Sequence, residues 1–273
     1  MSKYKLIAFD MDGTLLNSEK KISENTLQAI QKAIQTGKEV ILATGRGLSE
    51  LSDYLDQLPG VRYLNGISGA FLYDLKEQKP ISNTMISEET VLKLIQITKR
   101  NDVMFHLLTQ ESYVQTNHCN DMARYHMGIY QDMFDRIAIK HDDLENFYQN
   151  HPFPVAKFNM YHRSPQDREN TKTALRKSNL PVIWVEAETT SLEVSAYGVN
   201  KGTGLLKLCS HLNIKPEEVI AVGDSDNDLD ILKVAGLAVA MGNSKQVVKD
   251  IADVIVADCD HDGCAEAIEH YLL

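Results

Sequence analysis

Lys5-Leu6-Ile7-Ala8-Phe9-Asp10-Met11-Asp12-Gly13-Thr14 lies near the start of the sequence. A short continuous apolar run, cut off by acids and a glycine, reads as a strand buried on both faces, as in parallel sheets. Two other runs end in the same way. Val40–Ala43 leads into Thr44-Gly45-Arg46, and Val219–Val222 leads into Gly223-Asp224-Ser225-Asp226-Asn227-Asp228. A fourth polar cluster, Asn200-Lys201-Gly202, stands before a helix-like stretch. In an open α/β sheet, ligands bind beyond the carboxyl ends of the strands, so the three loops converge on one crevice.

The rest of the chain supports that reading. Ser23 can cap a helix whose apolar positions Leu27, Ile30, Ala33 and Ile34 share one face, with Gly37 just past its end. Strand Val40–Ala43 follows, and a β-α-β order implies parallel strands joined by a crossover helix. Arg62–Leu64, Ala70–Tyr73 and Pro80–Thr84 are short extended stretches separated by turn residues, which predicts hairpins. From about Ser87 to Thr190 the strand-then-acid pattern disappears, while most of the histidines and aromatics occur there. That stretch predicts helices over Ser87–Lys99 and Asp167–Ser178 and strands over Val155–Tyr161, Val182–Glu186 and Leu192–Val194. After Lys201 the alternation returns. A helix carrying Leu205, Leu206, Cys209 and Leu212 is followed by strand Val219–Val222, helix Leu229–Ala235, strand Leu237–Ala240, helix Lys245–Ile251, strand Asp253–Val256 and helix Ala265–Tyr271. The expected fold class is α/β: a Rossmann-like parallel-sheet core formed by residues 1–84 and 191–273, interrupted by an inserted α/β domain at 85–190.

Composition narrows the function. A net charge of -10 over 273 residues works against broad contact with nucleic acid or anionic lipid, because both polyanions favour clustered Lys and Arg. Apolar runs such as Leu237–Met241 fall well short of the ~20 residues that a spanning helix needs, and Met1–Lys5 has no secretory pattern. A soluble cytoplasmic protein is expected, as a monomer or small homo-oligomer with no nucleic-acid or membrane partner. The four cysteines form no Cys-x-x-Cys pair, so reduced thiols are expected and Cys259-Asp-His261-Asp-Gly-Cys264 lacks the second ligand pair of a zinc clip.

The clusters suit phosphoryl transfer, which asks a protein mainly to position the phosphoryl group and neutralise its charge. A carboxylate can act as nucleophile and form an aspartyl-phosphate. Asp10 and Asp12, two residues apart with Gly13 easing the turn, can serve one substrate, one ionised beside a metal and the other exchanging a proton. The hard cation Mg²⁺ suits Asp10, the Met11 carbonyl and Asp224. Thr44 and the Gly45 amide offer neutral donors, and Lys201 places a charge at a helix start that already favours anions. Taken singly, Asp-x-Asp-Gly-Thr also fits a calcium loop or a surface turn, and Asp224–Asp228 also fits a solvated helix N-terminus. Their common order in the chain is what favours a shared site.

In that order the clusters resemble the haloacid dehalogenase superfamily of phosphatases. Asp10-Met-Asp12-Gly-Thr14, Thr44-Gly-Arg46, Lys201 and Gly223-Asp224–Asp228 are similar to its four motifs. The insertion resembles a C2-type cap. Asn65-Gly66, Gly198–Gly202, Ala240-Met241-Gly242-Asn243 and Asp262-Gly263 resemble the Cof-type subfamily. The resemblance implies a Mg²⁺-dependent phosphatase of small phosphorylated metabolites, often sugar phosphates. It also implies Asp10 as nucleophile, Asp12 as general acid/base, and Thr44, Gly45, Lys201 and Asn227 as phosphate-binding. The implied metal set is Asp10, Met11 and Asp224, with Asp12 and Asp228 in or beside it. Ser225 and Asp230 depart from the family's usual Asn and Met. Two alternatives accompany this reading: a phosphosugar mutase of the same superfamily, and a non-catalytic phosphometabolite sensor. The pair Asp10 and Asp12 argues against the sensor, since an anion site gains nothing from two extra carboxylates.

Overall fold

The computed structural model describes residues 2–186 and 190–273. They form two compact units: the first comprises the chain up to Arg46, Leu51–Asn83 and Asn200–Leu273, and the second comprises Gly47–Glu50 and Thr84–Val199.

An eight-stranded sheet organises the first unit. Its strands are β1 (Leu6–Phe9), β2 (Glu39–Ala43), β3 (Tyr63–Gly66), β4 (Phe71–Asp74), β5 (Lys79–Asn83), β12 (Val219–Gly223), β13 (Leu237–Ala240) and β14 (Val254–Ile255). They lie in the order β14-β13-β12-β1-β2-β3-β4-β5, parallel as far as β3 and antiparallel in β4 and β5. The central strands β1 and β12 are buried along their whole length, as their unbroken apolar runs require. Phe9 pairs with both Leu42 and Val222. Asp10, Thr44 and Asp224 therefore leave neighbouring strands at the same edge of the sheet.

Helices lock that register. Ser23 accepts a hydrogen bond from the Thr26 amide to start helix Glu24–Gln35, and Gly37 follows its C-cap with φ +80°. On one face Leu6, Ala8, Ile41, Ala43, Val219 and Ala221 pack against Leu205 and Leu208 of helix Lys201–Leu212 and Ile231 and Leu232 of helix Leu229–Val234. Each fully buried Leu or Ile contributes about 1.5–3 kcal/mol. The closing helix is shorter than its pattern suggests: Gly263–Ala267 is α-helical, and Ile268–Leu272 continues as a π turn.

The second unit is built on a six-stranded sheet of β6 (Met104–Leu108), β7 (Ser112–Gln115), β8 (Ala138–His141), β9 (Lys157–Tyr161), β10 (Val182–Val185) and β11 (Ser191–Ala196). Its order is β10-β11-β9-β6-β7-β8, antiparallel except for the parallel pair β7 and β8. Phe105, Leu107, Phe158, Met160, Leu192 and Val194 alternate onto one face and pack with Val91, Leu94 and Ile95 of helix Glu88–Arg100. The sequence pattern places residues from 191 onward in the first unit, yet β11 pairs with β9 and β10, and the first unit resumes only at Asn200. Buried serines at positions 191 and 195 obscure the strand's alternation. Strand β6 is equally hard to read, because His106 sits fully buried in its middle. No helix among the described residues is long and apolar enough to cross a membrane.

Candidate active site

Asp10 follows β1, and its amide donates to the Val222 carbonyl at 3.0 Å, which ties the start of the loop to β12. The chain then turns tightly. Thr14 N and Leu16 N both donate to the Met11 carbonyl, at 3.2 and 2.8 Å. That carbonyl, which the sequence reading placed toward a metal, accepts here from two backbone amides. Gly13 is required for two reasons: its φ is +82°, and a Cβ there would lie 2.7 Å from an oxygen of Asp224.

Lys201 stands at the centre of the site. Asn200 caps its helix by accepting from the Thr203 amide, and the Asn65 side chain donates to the Lys201 carbonyl at 2.8 Å. The helix approaches β3 closely because Gly204 has no Cβ, which would otherwise lie 2.1 Å from the Asn65 oxygen. The Lys201 ammonium, fully buried, donates to Asp10 at 2.5 Å and to Asp228 at 2.6 Å. The other oxygen of Asp228 accepts from the Asp224 and Ser225 amides. Asp228 therefore anchors Lys201 and closes the loop after β12. Thr14 donates its hydroxyl to Asp224 at 2.9 Å, linking the loops after β1 and β12.

Carboxylate oxygens of Asp10, Asp224 and Asp228 lie within 4.8 Å of one another. Three carboxylates against one lysine leave two negative charges uncompensated. Burial pushes the Asp10 carboxyl well above the ordinary carboxylate range, Lys201 opposes this, and Asp228 and Asp224 add to it. Burial and then Asp228 raise Asp224 to about 6. Burial alone would lower Lys201, but Asp10 and Asp228 raise it above its usual value. Among the described residues, Asp10 and Asp224 each keep a carboxylate oxygen outside any hydrogen bond. Hard oxygen donors with a surplus of two negative charges fit a hard divalent cation such as Mg²⁺.

Asp12 stands apart from that cluster. Arg46 grips it with two hydrogen bonds of 2.8 Å, and Lys20 adds a third at 2.8 Å. Burial would raise this carboxyl, but the Arg46 and Lys20 contacts outweigh it and hold the group at about 2. The Arg46 guanidinium also lies over Tyr54, 5.3 Å from the ring centre. Thr44 is buried, and its hydroxyl accepts from the Arg46 amide at 3.1 Å, while Gly45 beside it is half-buried. The Asn227 side-chain oxygen accepts from the Ser225 hydroxyl at 3.2 Å.

Two further contributors had no assigned role in the sequence: Asn243 was visible only as the end of Ala240-Met241-Gly242-Asn243, and Cys264 only as a reduced thiol. Asn243 donates to the Gly13 carbonyl and accepts from the Cys259 amide, and the Cys264 thiol donates to the Thr14 carbonyl. These contacts brace the turn that presents Asp10. Arg46 was visible only as the end of Thr44-Gly-Arg46, and Lys20 had no periodic or motif signal.

Two relatives from Bacillus subtilis align with this chain over nearly the whole length of both partners. The chain is 32% identical over 269 residues to the 5-amino-6-(5-phospho-D-ribitylamino)uracil phosphatase YcsE of Bacillus subtilis, covering 98% of this chain and 96% of that protein. It is 30% identical to the B. subtilis phosphatase of the same description, YitU, covering 99% and 98%. A crystal structure of a haloacid dehalogenase-like hydrolase from Bacteroides thetaiotaomicron superposes with a TM-score of 0.85 at 27% identity, covering 98% of this chain and 99% of that one. Residues 7–268, which contain every loop of the site, match the model of the haloacid dehalogenase-like hydrolases, and the chain is a phosphatase of that family.

Proposed function

We propose that the chain hydrolyses small phosphomonoesters, sugar phosphates and related polyol phosphates foremost, in a Mg²⁺-dependent reaction that passes through an aspartyl-phosphate on Asp10. The observation that carries this reading is the buried ion pair of Lys201 with Asp10 inside the three-carboxylate cluster. Lys201 orients the Asp10 carboxylate, and an oxygen of Asp10 attacks phosphorus. As that O–P bond forms, the ester P–O bond breaks, and the departing alkoxide takes a proton from Asp12. Water then attacks phosphorus, gives its proton to Asp12 and releases phosphate from Asp10. Arg46 and Lys20 favour the ionised form of Asp12, which suits the second step; in the first, Asp12 carries the proton that it gives up. Thr44, Gly45, Lys201 and Asn227 bind the phosphoryl oxygens. Asp10 and Asp224, with Asp228 beside them, would hold a Mg²⁺, which would supply neutralising charge to those oxygens when bound. The ribityl phosphate named for YcsE and YitU supports an alkyl phosphate as substrate. The second unit is assigned as the cap.

Phosphate release from a panel of sugar phosphates, ribitol phosphate, nucleotides and an aryl phosphate, with Mg²⁺ and with chelator, tests the reading. Stoichiometric phosphate with Mg²⁺ alone is the expected result. An isomer without phosphate would replace it with a mutase, and binding with neither product would replace it with a sensor.

Metal binding also has a predictable pH dependence. The folded protein raises Asp224 from its ordinary value to about 6, so across that window the folded state binds more protons than the unfolded chain. In the absence of metal these carboxylates therefore cost stability as pH rises towards 6, and the cost persists above it. A cation relieves that cost only when the carboxylates are ionised. The rise in melting temperature on adding Mg²⁺ is expected to be large at about pH 7.5 and to shrink at about pH 5. Thermal unfolding at the two pH values, with and without Mg²⁺, measures it.

A further inference from the structure

Lys20 has backbone φ +60°, a left-handed conformation that costs a side-chain-bearing residue and is usually left to glycine. The loop that holds it there is built for the purpose. Asn17 accepts at its side chain from the Glu19 and Lys21 amides, and its backbone exchanges hydrogen bonds with Lys20 and Lys21. The outcome is an ammonium 2.8 Å from Oδ1 of Asp12. Arg46 alone would grip the two Asp12 oxygens alike, through Nη2 on Oδ1 and Nε on Oδ2. Lys20 breaks that symmetry. Among the described residues, Oδ1 accepts two hydrogen bonds and Oδ2 one, which leaves Oδ2 the open lone pair.

We propose that Lys20 is a positioning residue for Asp12, occupying Oδ1 so that Oδ2 is the oxygen that exchanges the proton with the leaving group. This rests on the reading of Asp12 as the acid/base. The effect should appear where a proton must be delivered: with a sugar or alkyl phosphate, whose alkoxide leaves poorly, and not with an aryl phosphate of acidic leaving group.

Lys20→Met, Lys20→Gly and Lys20→Arg test the proposal on the full chain with Mg²⁺. For an alkyl phosphate, Lys20→Met and Lys20→Gly should lower kcat between about ten- and a hundredfold, with KM within about twofold. The first-turnover rate on the aryl phosphate should hardly change, and Lys20→Arg should restore most of the alkyl rate. Glycine accepts positive φ freely, so Lys20→Gly should unfold at no lower temperature than Lys20→Met, which separates the kinetic loss from misfolding. An unchanged kcat, a raised KM at unchanged kcat, or equal slowing of both substrates overturns the proposal. In an Asp12→Asn background, Lys20→Met should have no additional effect. If Asp12→Asn by itself retains full turnover of the alkyl phosphate, the acid/base reading of Asp12 has failed, which is a distinct result from the failure of Lys20 alone.

Discussion

Asp10→Asn is expected to lower kcat for phosphate release by about four orders of magnitude or more, because the asparagine amide cannot form the covalent intermediate. The same change should leave stability unchanged or slightly raised. Asp10 is buried among Asp224 and Asp228, and its carboxyl is pushed well above the ordinary range by burial. Removing one of three charges relieves that repulsion, while the asparagine oxygen still accepts from Lys201. Steady-state kinetics beside thermal unfolding separates the two effects. Turnover of about a hundredth of native or more in the variant would remove Asp10 from the nucleophile role.

Lys201→Met should damage both folding and chemistry. Lys201 is the cation shared by Asp10 and Asp228, and it has almost no solvent exposure. Deleting one partner of a buried ion pair typically costs about 3–5 kcal/mol, because the remaining charges have neither water nor a counter-ion. With Lys201 gone, Asp10 and Asp224 lose the charge that opposes their upward shift and hold protons to still higher pH. The stability deficit is therefore expected to narrow as pH falls from about 7.5 towards 5, where protonation removes the repulsion, and to narrow at neutral pH when Mg²⁺ is added. Turnover should fall by at least about a hundredfold, since a fixed charge beside the phosphoryl group is lost. Denaturant unfolding across that pH range, with and without Mg²⁺, measures the first effect. A deficit that widened on acidification would show that Lys201 does not neutralise this cluster.

The legible parts of this protein are those whose cause is local. The run Leu6–Phe9 followed by Asp10 declares a buried strand and its exit within a few residues, as do Val40–Ala43 and Val219–Val222. Ser23 caps the start of its helix through the Thr26 amide three residues on, and Gly37 follows the end of the same helix. The second unit was less legible. His106 and Lys157 are buried in strands, where pattern reading expects apolar residues, and Ser191 and Ser195 blur the alternation of β11. Partners distant in sequence make those positions tolerable, as when Glu193 pairs with Lys157.

The sequence by itself determined the order of strands and helices, the end of the sheet at which Asp10, Thr44 and Asp224 emerge, and the surplus of acids around Lys201. Burial periodicity, caps and glycine turns act over a few residues, and parallel connection rules carry them to a topology. Only the tertiary structure decided which way each polar group of the loops faces. The Met11 carbonyl accepts from two amides, and Asp12 pairs with Arg46 and Lys20, outside the cluster of Asp10, Asp224 and Asp228. Those choices depend on hydrogen bonds between side chains and backbone brought together from separate parts of the chain. A carboxylate or carbonyl takes whichever donors packing places within about 3 Å, and neither the strand pattern nor the motif spacing encodes that distance.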